Sequence, residues 1–240
     1  DAPWINVLGN PQFGTIVTES GMSYSWVDNA HGIRLTPWNN DPVSDLKGEA
    51  FYLRDEENGR FWSPSPLPCR GSTPYITKHG FGYSVFDHIE DGIASTMTIY
   101  VDCAAPIKFI VLKITNNSNR LRRISATGYV EWVLGDLRSK YQMHTITEMD
   151  MRSGSILAKN AYSPEFERRS AFFDVNDDNR TFTTDRAEFI GRNGTLANPE
   201  AMNRTKLSGK IGAALDPCAA LQVSFELAEE EEKEIIFRLG

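Results

Sequence analysis

Between Tyr24 and Asp45 the chain reads Tyr-Ser-Trp-Val-Asp-Asn-Ala-His-Gly-Ile-Arg-Leu-Thr-Pro-Trp-Asn-Asn-Asp-Pro-Val-Ser-Asp. This stretch gathers two tryptophans, a tyrosine, an arginine and several amide and carboxylate side chains. An aromatic face covers the apolar C–H side of a pyranose ring, while Asn, Asp and Arg bond its hydroxyls, so these residue types together suit recognition of a sugar. The segment is too polar and too broken by proline to be one strand, and too aromatic to be disordered, so it reads as a long ordered loop. The same composition also allows Trp26 and Trp38 to plug the end of a fold or to face another domain, and composition alone leaves both readings open.

A second polar cluster, Thr184-Asp-Arg-Ala-Glu-Phe-Ile-Gly-Arg-Asn-Gly194, brings Asp185, Arg186, Glu188 and Arg192 together. Paired carboxylates can do acid–base work, but in a strand-like context Asp185 and Glu188, three apart, point to opposite faces, so an ion-pair network is the expectation. Its two glycines do not complete a nucleotide-binding G-x-G-x-x-G pattern. His31, His79, His88 and His144 show no ligand spacing, no G-x-S-x-G elbow occurs, and Cys69, Cys103 and Cys218 form no C-x-x-C pair. We therefore expect no metal, no cofactor, no catalytic residues and no disulfide framework. Asn-x-Ser/Thr triplets at Asn116, Asn179, Asn193 and Asn203 read as ordinary turns.

The elements that must position these residues are strands. Leu221, Val223, Phe225 and Leu227 alternate with Gln222, Ser224 and Glu226, which is the period of a half-buried strand. Arg123–Val133 alternates likewise, and Ile93–Val101 is rich in β-favouring Thr, Ile and Tyr. Ile107–Thr115 is apolar on both faces and is expected mid-sheet, covered on both sides. Phe61–Pro68, aromatic and proline-rich, is expected as an extended edge segment packed on the sheet. Turn chemistry at Glu57–Arg60, Asp91–Gly92, Asn116–Asn119 and Asn176–Asn179 predicts antiparallel hairpins, and Glu229–Glu232 a solvated hairpin turn. Short helices are expected only at Pro164–Arg168 and near Asn198–Met202. The expected architecture is all-β, a large antiparallel β-sandwich, with residues 1–240 as one domain.

Length and charge fit this picture. The chain of 240 residues carries a net charge of −7 with 40% hydrophobic residues, enough for a sizeable core. Its basic residues are scattered, which argues against a nucleic-acid partner or an anionic membrane surface and favours a neutral ligand. No run approaches a membrane span and no signal peptide is visible, so a cytoplasmic domain is expected, with any membrane anchor in other parts of a longer parent protein.

Six segments in order carry a resemblance: Thr36–Asp45, Gly48–Asp55, Phe61–Pro64, Tyr129–Leu134, Asp185–Arg192 and Leu215–Cys218. From about Trp4 to its end the chain resembles the N-terminal β-sandwich domain of glycosyltransferase family 36, now glycoside hydrolase family 94. That family holds cellobiose and chitobiose phosphorylases and the C-terminal region of cyclic β-1,2-glucan synthases. The Thr36–Asp45 motif is most similar to the glucan-synthase type.

The resemblance implies a galactose-mutarotase-like β-supersandwich. In full-length members a helical linker and an (α/α)₆ barrel with the catalytic aspartate follow it. These enzymes are inverting phosphorylases, needing one enzymic acid while phosphate attacks the opposite face. The resemblance thus implies a module that does not catalyse alone, with the barrel of the same polypeptide, a β-glucan oligosaccharide and a second subunit of a homodimer as partners. Carried over to the Tyr24–Asp45 loop, it implies that Tyr24, Trp26, Arg34, Trp38, Asn40 and Asp41 help form sugar subsites. Two rival expectations are a purely structural dimer or interdomain scaffold and a free-standing mutarotase-like enzyme.

Overall fold

The computed structural model describes residues 4–41, 43–45 and 48–240, so Pro42 of the loop and the first three residues lie outside the described part. Its strands form three antiparallel sheets. The smallest consists of β1 (Ile5–Gly9), β2 (Phe13–Thr18) and β3 (Ser23–Val27). A five-stranded sheet runs in the order β14 (Arg180–Asp185), β15 (Pro217–Leu227), β10 (Arg122–Glu131), β4 (Glu49–Asp55) and β5 (Phe61–Trp62). An eight-stranded sheet runs β11 (Thr145–Met149), β12 (Ile156–Asn160), β13 (Ala171–Val175), β16 (Glu232–Leu239), β9 (Lys108–Asn116), β8 (Ile93–Val101), β7 (Tyr83–Glu90) and β6 (Tyr75–Gly80). The architecture is the expected all-β sandwich, and among the described residues helical structure is confined to α1 (Arg138–Tyr141), α2 (Arg186–Ile190) and a 3₁₀ turn at Glu200–Asn203.

The main core lies between the larger sheets. Leu53, Ile124, Ala126, Val130, Leu221 and Val223 belong to the same buried cluster as Phe86, Met97, Ile110, Leu112 and Phe237 of the facing sheet. Each large side chain buried this way contributes about 1.5–3 kcal/mol relative to exposure. A second cluster covers the outer face of the five-stranded sheet, where Phe189, Ile190, Met202 and Leu207 pack with Ala50, Tyr52, Tyr129 and Ala220. Double coverage therefore belongs to β10 rather than β9. β9 does lie mid-sheet, but its outer side chains stay half-buried at Phe109 and Val111 and exposed at Lys113.

Several expected turns take a different route. Asp91–Gly92 closes a true hairpin between β7 and β8, with both residues at positive φ. Asn116–Asn119, Asn176–Asn179 and the acidic turn at Glu229–Glu231 instead pass between the two large sheets, because each joins strands of different sheets. Turn chemistry specifies chain reversal, not which layer receives the next strand. Pro164–Arg168 forms turns instead of a helix, and the predicted helix near Asn198 is a 3₁₀ turn beginning after Pro199. Phe61–Trp62 pairs only with β4 and forms the edge of its sheet.

Candidate functional site

The Tyr24–Asp45 segment is a clamped loop. Its first limb is β3, and Asn29 Oδ1 accepts from the backbone of His31 and Gly32 to close a tight reversal. The return limb is tied to β3 by Val27 N to Ile33 O at 3.0 Å and Leu35 N to Ser25 O at 2.9 Å. On its other side Arg34 and Gly135 exchange backbone bonds of 3.1 and 3.2 Å. Buried Thr36 donates to Glu49 at 2.7 Å, and Asp45 accepts from Thr18 at 2.5 Å, so both ends of the crest are anchored in the sandwich.

The six residues assigned to sugar contact take distinct places on this loop. Tyr24, Trp26 and Trp38 form an aromatic row, with Tyr24 buried in the middle and ring centroids 5.0 Å and 4.9 Å from its neighbours. Burial pushes the Tyr24 phenol up, with Arg34 opposing, so it stays protonated and donates to Ala30 O at 3.2 Å. Trp26 lies over Gly14 of β2, where a Cβ would come within 2.3 Å of the indole. Arg34 donates to Ala30 O and Asp136 O, both at 3.2 Å. Asn40 is exposed at positive φ, and exposed Asp41 accepts from Val43 N and Ser44 N at 2.9 and 3.2 Å. Trp38 and Arg34 line a cavity of about 200 Å³ with Pro37, Asn39, Asp136 and Arg138.

A charged ring that sequence reasoning missed stands beside this cavity. Arg138 Nε is 2.8 Å from Glu131 Oε1, and Arg186 Nε donates to Glu131 Oε2 at 2.7 Å. Asp216 closes the ring by accepting from Arg138 and, at 3.3 Å, from Arg186. Burial works against the Arg186 charge, but Glu131 and Asp216 outweigh it and hold the guanidinium protonated. Across Pro37 and Asn39 from the Trp38 cavity, Glu131 and Arg186 line a second cavity of about 280 Å³ with Ile190, Thr195 and Leu196. A third hollow, of about 380 Å³, lies beside Asp216 and Met143.

The ring depends on an element that the sequence reading did not expect. Asp185 caps α2 by accepting from Ala187 N at 3.1 Å, and the helix turns Arg186 towards Glu131. In a helix, residues three apart share a face, so Asp185 and Glu188 converge, and Lys210 Nζ lies 3.2 Å from each. The opposite-face expectation fails for that reason, and the expected ion-pair network forms with other partners. Asp185 and Glu188 pair with Lys210, Glu188 also with Arg204, and Arg186 with Glu131 and Asp216 rather than with the acids of its own cluster. Asp at the cap with Glu three residues on was the signal for the helix. Nothing local in the sequence marked Arg138.

Five of the six resemblance segments meet here. Pro37 and Asn39, Gly48, Glu131, Arg186 and Asp216 each come from a different one, with Gly48 directly beneath Pro37. The model of the glycosyl hydrolase 94 supersandwich domain matches residues 1–240. The chain belongs to that family. This supersandwich domain is 36% identical over 240 residues to the cyclic β-(1,2)-glucan synthase NdvB of Rhizobium meliloti (strain 1021), covering 99% of the chain and 8% of the synthase. It is 28% identical to N,N'-diacetylchitobiose phosphorylase of Vibrio proteolyticus, covering 100% of the chain and 31% of that enzyme. The domain thus spans less than a third of either relative. A candidate aldose 1-epimerase from Escherichia coli K12 shares the fold at a TM-score of 0.54 and 8% identity, with 99% of this chain and 98% of that one covered. Among the described residues of the supersandwich domain, no cluster of three metal-ligating side chains occurs and no helix is long and apolar enough to cross a membrane.

Proposed function

We propose that this domain is a non-catalytic carbohydrate-binding and assembly module of an inverting β-glucan phosphorylase or cyclic β-1,2-glucan synthase-like enzyme. In this reading residues 1–240 act as one β-sandwich domain of a longer polypeptide that also supplies the catalytic barrel. The observation that carries it is the meeting of the resemblance segments at one end of the sandwich, where Trp38 lines a cavity with Arg34 and Arg138. Trp38 offers an aromatic face and the arginines offer planar donors, the combination that holds a pyranose against its C–H face and hydroxyls. The names of the relatives, a β-(1,2)-glucan synthase and a chitobiose phosphorylase, support a β-linked saccharide as the ligand class.

The test is tryptophan fluorescence of the 240-residue chain titrated with linear β-1,2-glucooligosaccharides, with cellooligosaccharides for comparison. A saturable change that disappears in Trp38→Ala supports the module. A folded protein that gives no response at millimolar sugar overturns it. The second reading, a dimer or interdomain scaffold, draws on Trp26, whose indole is spent on Gly14, and on the backbone bonds that clamp Arg34. It predicts that Trp38→Ala alters sedimentation of the chain rather than its response to sugar.

A further inference from the structure

We propose that the cavity between the loop crest and α2, lined by Pro37, Asn39, Glu131, Arg186, Thr195 and Leu196, is a second saccharide pocket continuous with the Trp38 cavity. It takes a neutral pyranosyl unit adjoining the one at Trp38. The inference rests on the carbohydrate reading above and extends it to residues on the far side of the crest.

Three features specify the ligand class. The first is charge. Two guanidinium groups and two carboxylates alternate around a closed ring, so their charges cancel locally and an anion gains little attraction there. The same groups are fixed hydrogen-bonding planes. The carboxylates can accept further bonds beyond those from the ring, although Glu131 Oε2 already accepts from Tyr129 as well as Arg186, and each guanidinium has five N–H groups, so hydroxyls that both donate and accept suit them.

The second is shape. The cavity measures about 280 Å³ and carries Pro37, Ile190 and Leu196 beside Glu131, Arg186, Asn39 and Thr195. Apolar walls with a few convergent polar groups are the make-up of a small-molecule site, and this volume suits a unit of about one sugar ring.

The third is continuity. Pro37 and Asn39 line both this cavity and the one at Trp38, so a chain crossing Asn39 occupies the two together. Arg138 faces the Trp38 side and is ion-paired with Glu131, which faces the α2 side. One rigid ring therefore serves both cavities.

Linked occupancy makes affinity depend on chain length, because the second unit binds at high effective concentration once the first is held. The experiment is a calorimetric titration of the 240-residue chain with glucose and with β-1,2-linked di-, tri- and tetrasaccharides, at low and high sodium chloride, and with inorganic phosphate. Three variants accompany it. Thr195→Phe fills the cavity from an exposed position without touching the ring, Asn39→Ala removes the shared amide, and Trp38→Ala removes the aromatic face. Circular dichroism and melting confirm that each is folded.

The expected result is that oligosaccharides bind at least about tenfold more tightly than glucose and that sodium chloride leaves this unchanged. Thr195→Phe then lowers oligosaccharide affinity to the glucose level, and Asn39→Ala lowers it in part. If Thr195→Phe keeps the full dependence on length while Trp38→Ala abolishes binding, the α2 pocket is overturned and the Trp38 site stands. If phosphate binds and competes with sugar at this cavity, the assignment to a neutral ligand is overturned. Absence of saccharide binding in every folded protein overturns both.

Discussion

Lys108 sits on β9 with its side chain fully buried, and its ammonium lies 2.6 Å from the equally buried Glu49 of β4. Thr15 and Ser23 accept from Lys108 Nζ at 3.1 and 2.8 Å, while Ser23, Ser25 and Thr36 donate to the two Glu49 oxygens at 2.7–2.8 Å. The pair thus joins all three sheets and reaches the limb that leads to Trp38. Burial pushes the Glu49 carboxyl up, but Lys108 and the hydroxyl donors outweigh it and hold the carboxyl below its usual range. Removing one partner strands a buried charge, so Glu49→Leu and Lys108→Met should each cost about 3–5 kcal/mol, while the double variant should cost less than their sum. Urea unfolding of the three proteins checks this, and additive losses would show that the charges act independently. The sequence gives no sign of the arrangement, because a lysine at the start of an apolar strand ordinarily reaches solvent.

At the level of elements, the loop crest is set by the backbone beneath it. A Cβ on Gly48 would come within 2.3 Å of Pro37 and 3.1 Å of Glu131 Cβ. Gly48→Ala should therefore lift Pro37, displace Trp38 and Asn39, and weaken saccharide binding several-fold, with a stability loss of about 1–3 kcal/mol from overpacking. The check is the same fluorescence titration beside a melting curve, and unchanged affinity would mean that the crest is not held by this contact. The strands themselves were legible because period-two alternation is local, and β8 spans the residues its pattern marked. The site was legible only in part. Its aromatic loop announced itself by composition, whereas the ring draws Glu131 and Arg138, Arg186 and Asp216 from three segments far apart in the chain, a pairing fixed by sheet order and by the short helix after Asp185. Local patterns do not encode which strands become neighbours.

For the molecule as a whole, buried ionisable groups set how stability follows pH. His88 stacks on Tyr75 with centroids 3.7 Å apart, and its Nε2 lies 3.4 Å from Glu90 Oε2. Burial pushes the imidazole below its ordinary value, against the pull of the Pro74 carbonyl and Glu90, and burial does the same at His79 against Glu19. A histidine depressed in the folded state binds its proton more readily in the unfolded chain, whose value is about 6.5. Its contribution is complete above that value and is lost as pH falls towards the folded one. Glu90, whose burial is outweighed by hydrogen bonds from Ser72, and Glu49 are both held low, so their contributions are complete above the ordinary carboxylate value of about 4.3 and are lost below it. Stability should accordingly fall in two stages on acidification, first from the histidines as pH drops below their ordinary value of about 6.5, then from the carboxylates as it drops below about 4.3. Urea midpoints measured across this range should decline more shallowly in His88→Asn than in the parent chain over the first stage and in parallel with it over the second. A parent protein whose midpoint stays level until the carboxylates titrate would show that His88 accepts its proton without cost and that the Tyr75 stack does not exclude the charged imidazole.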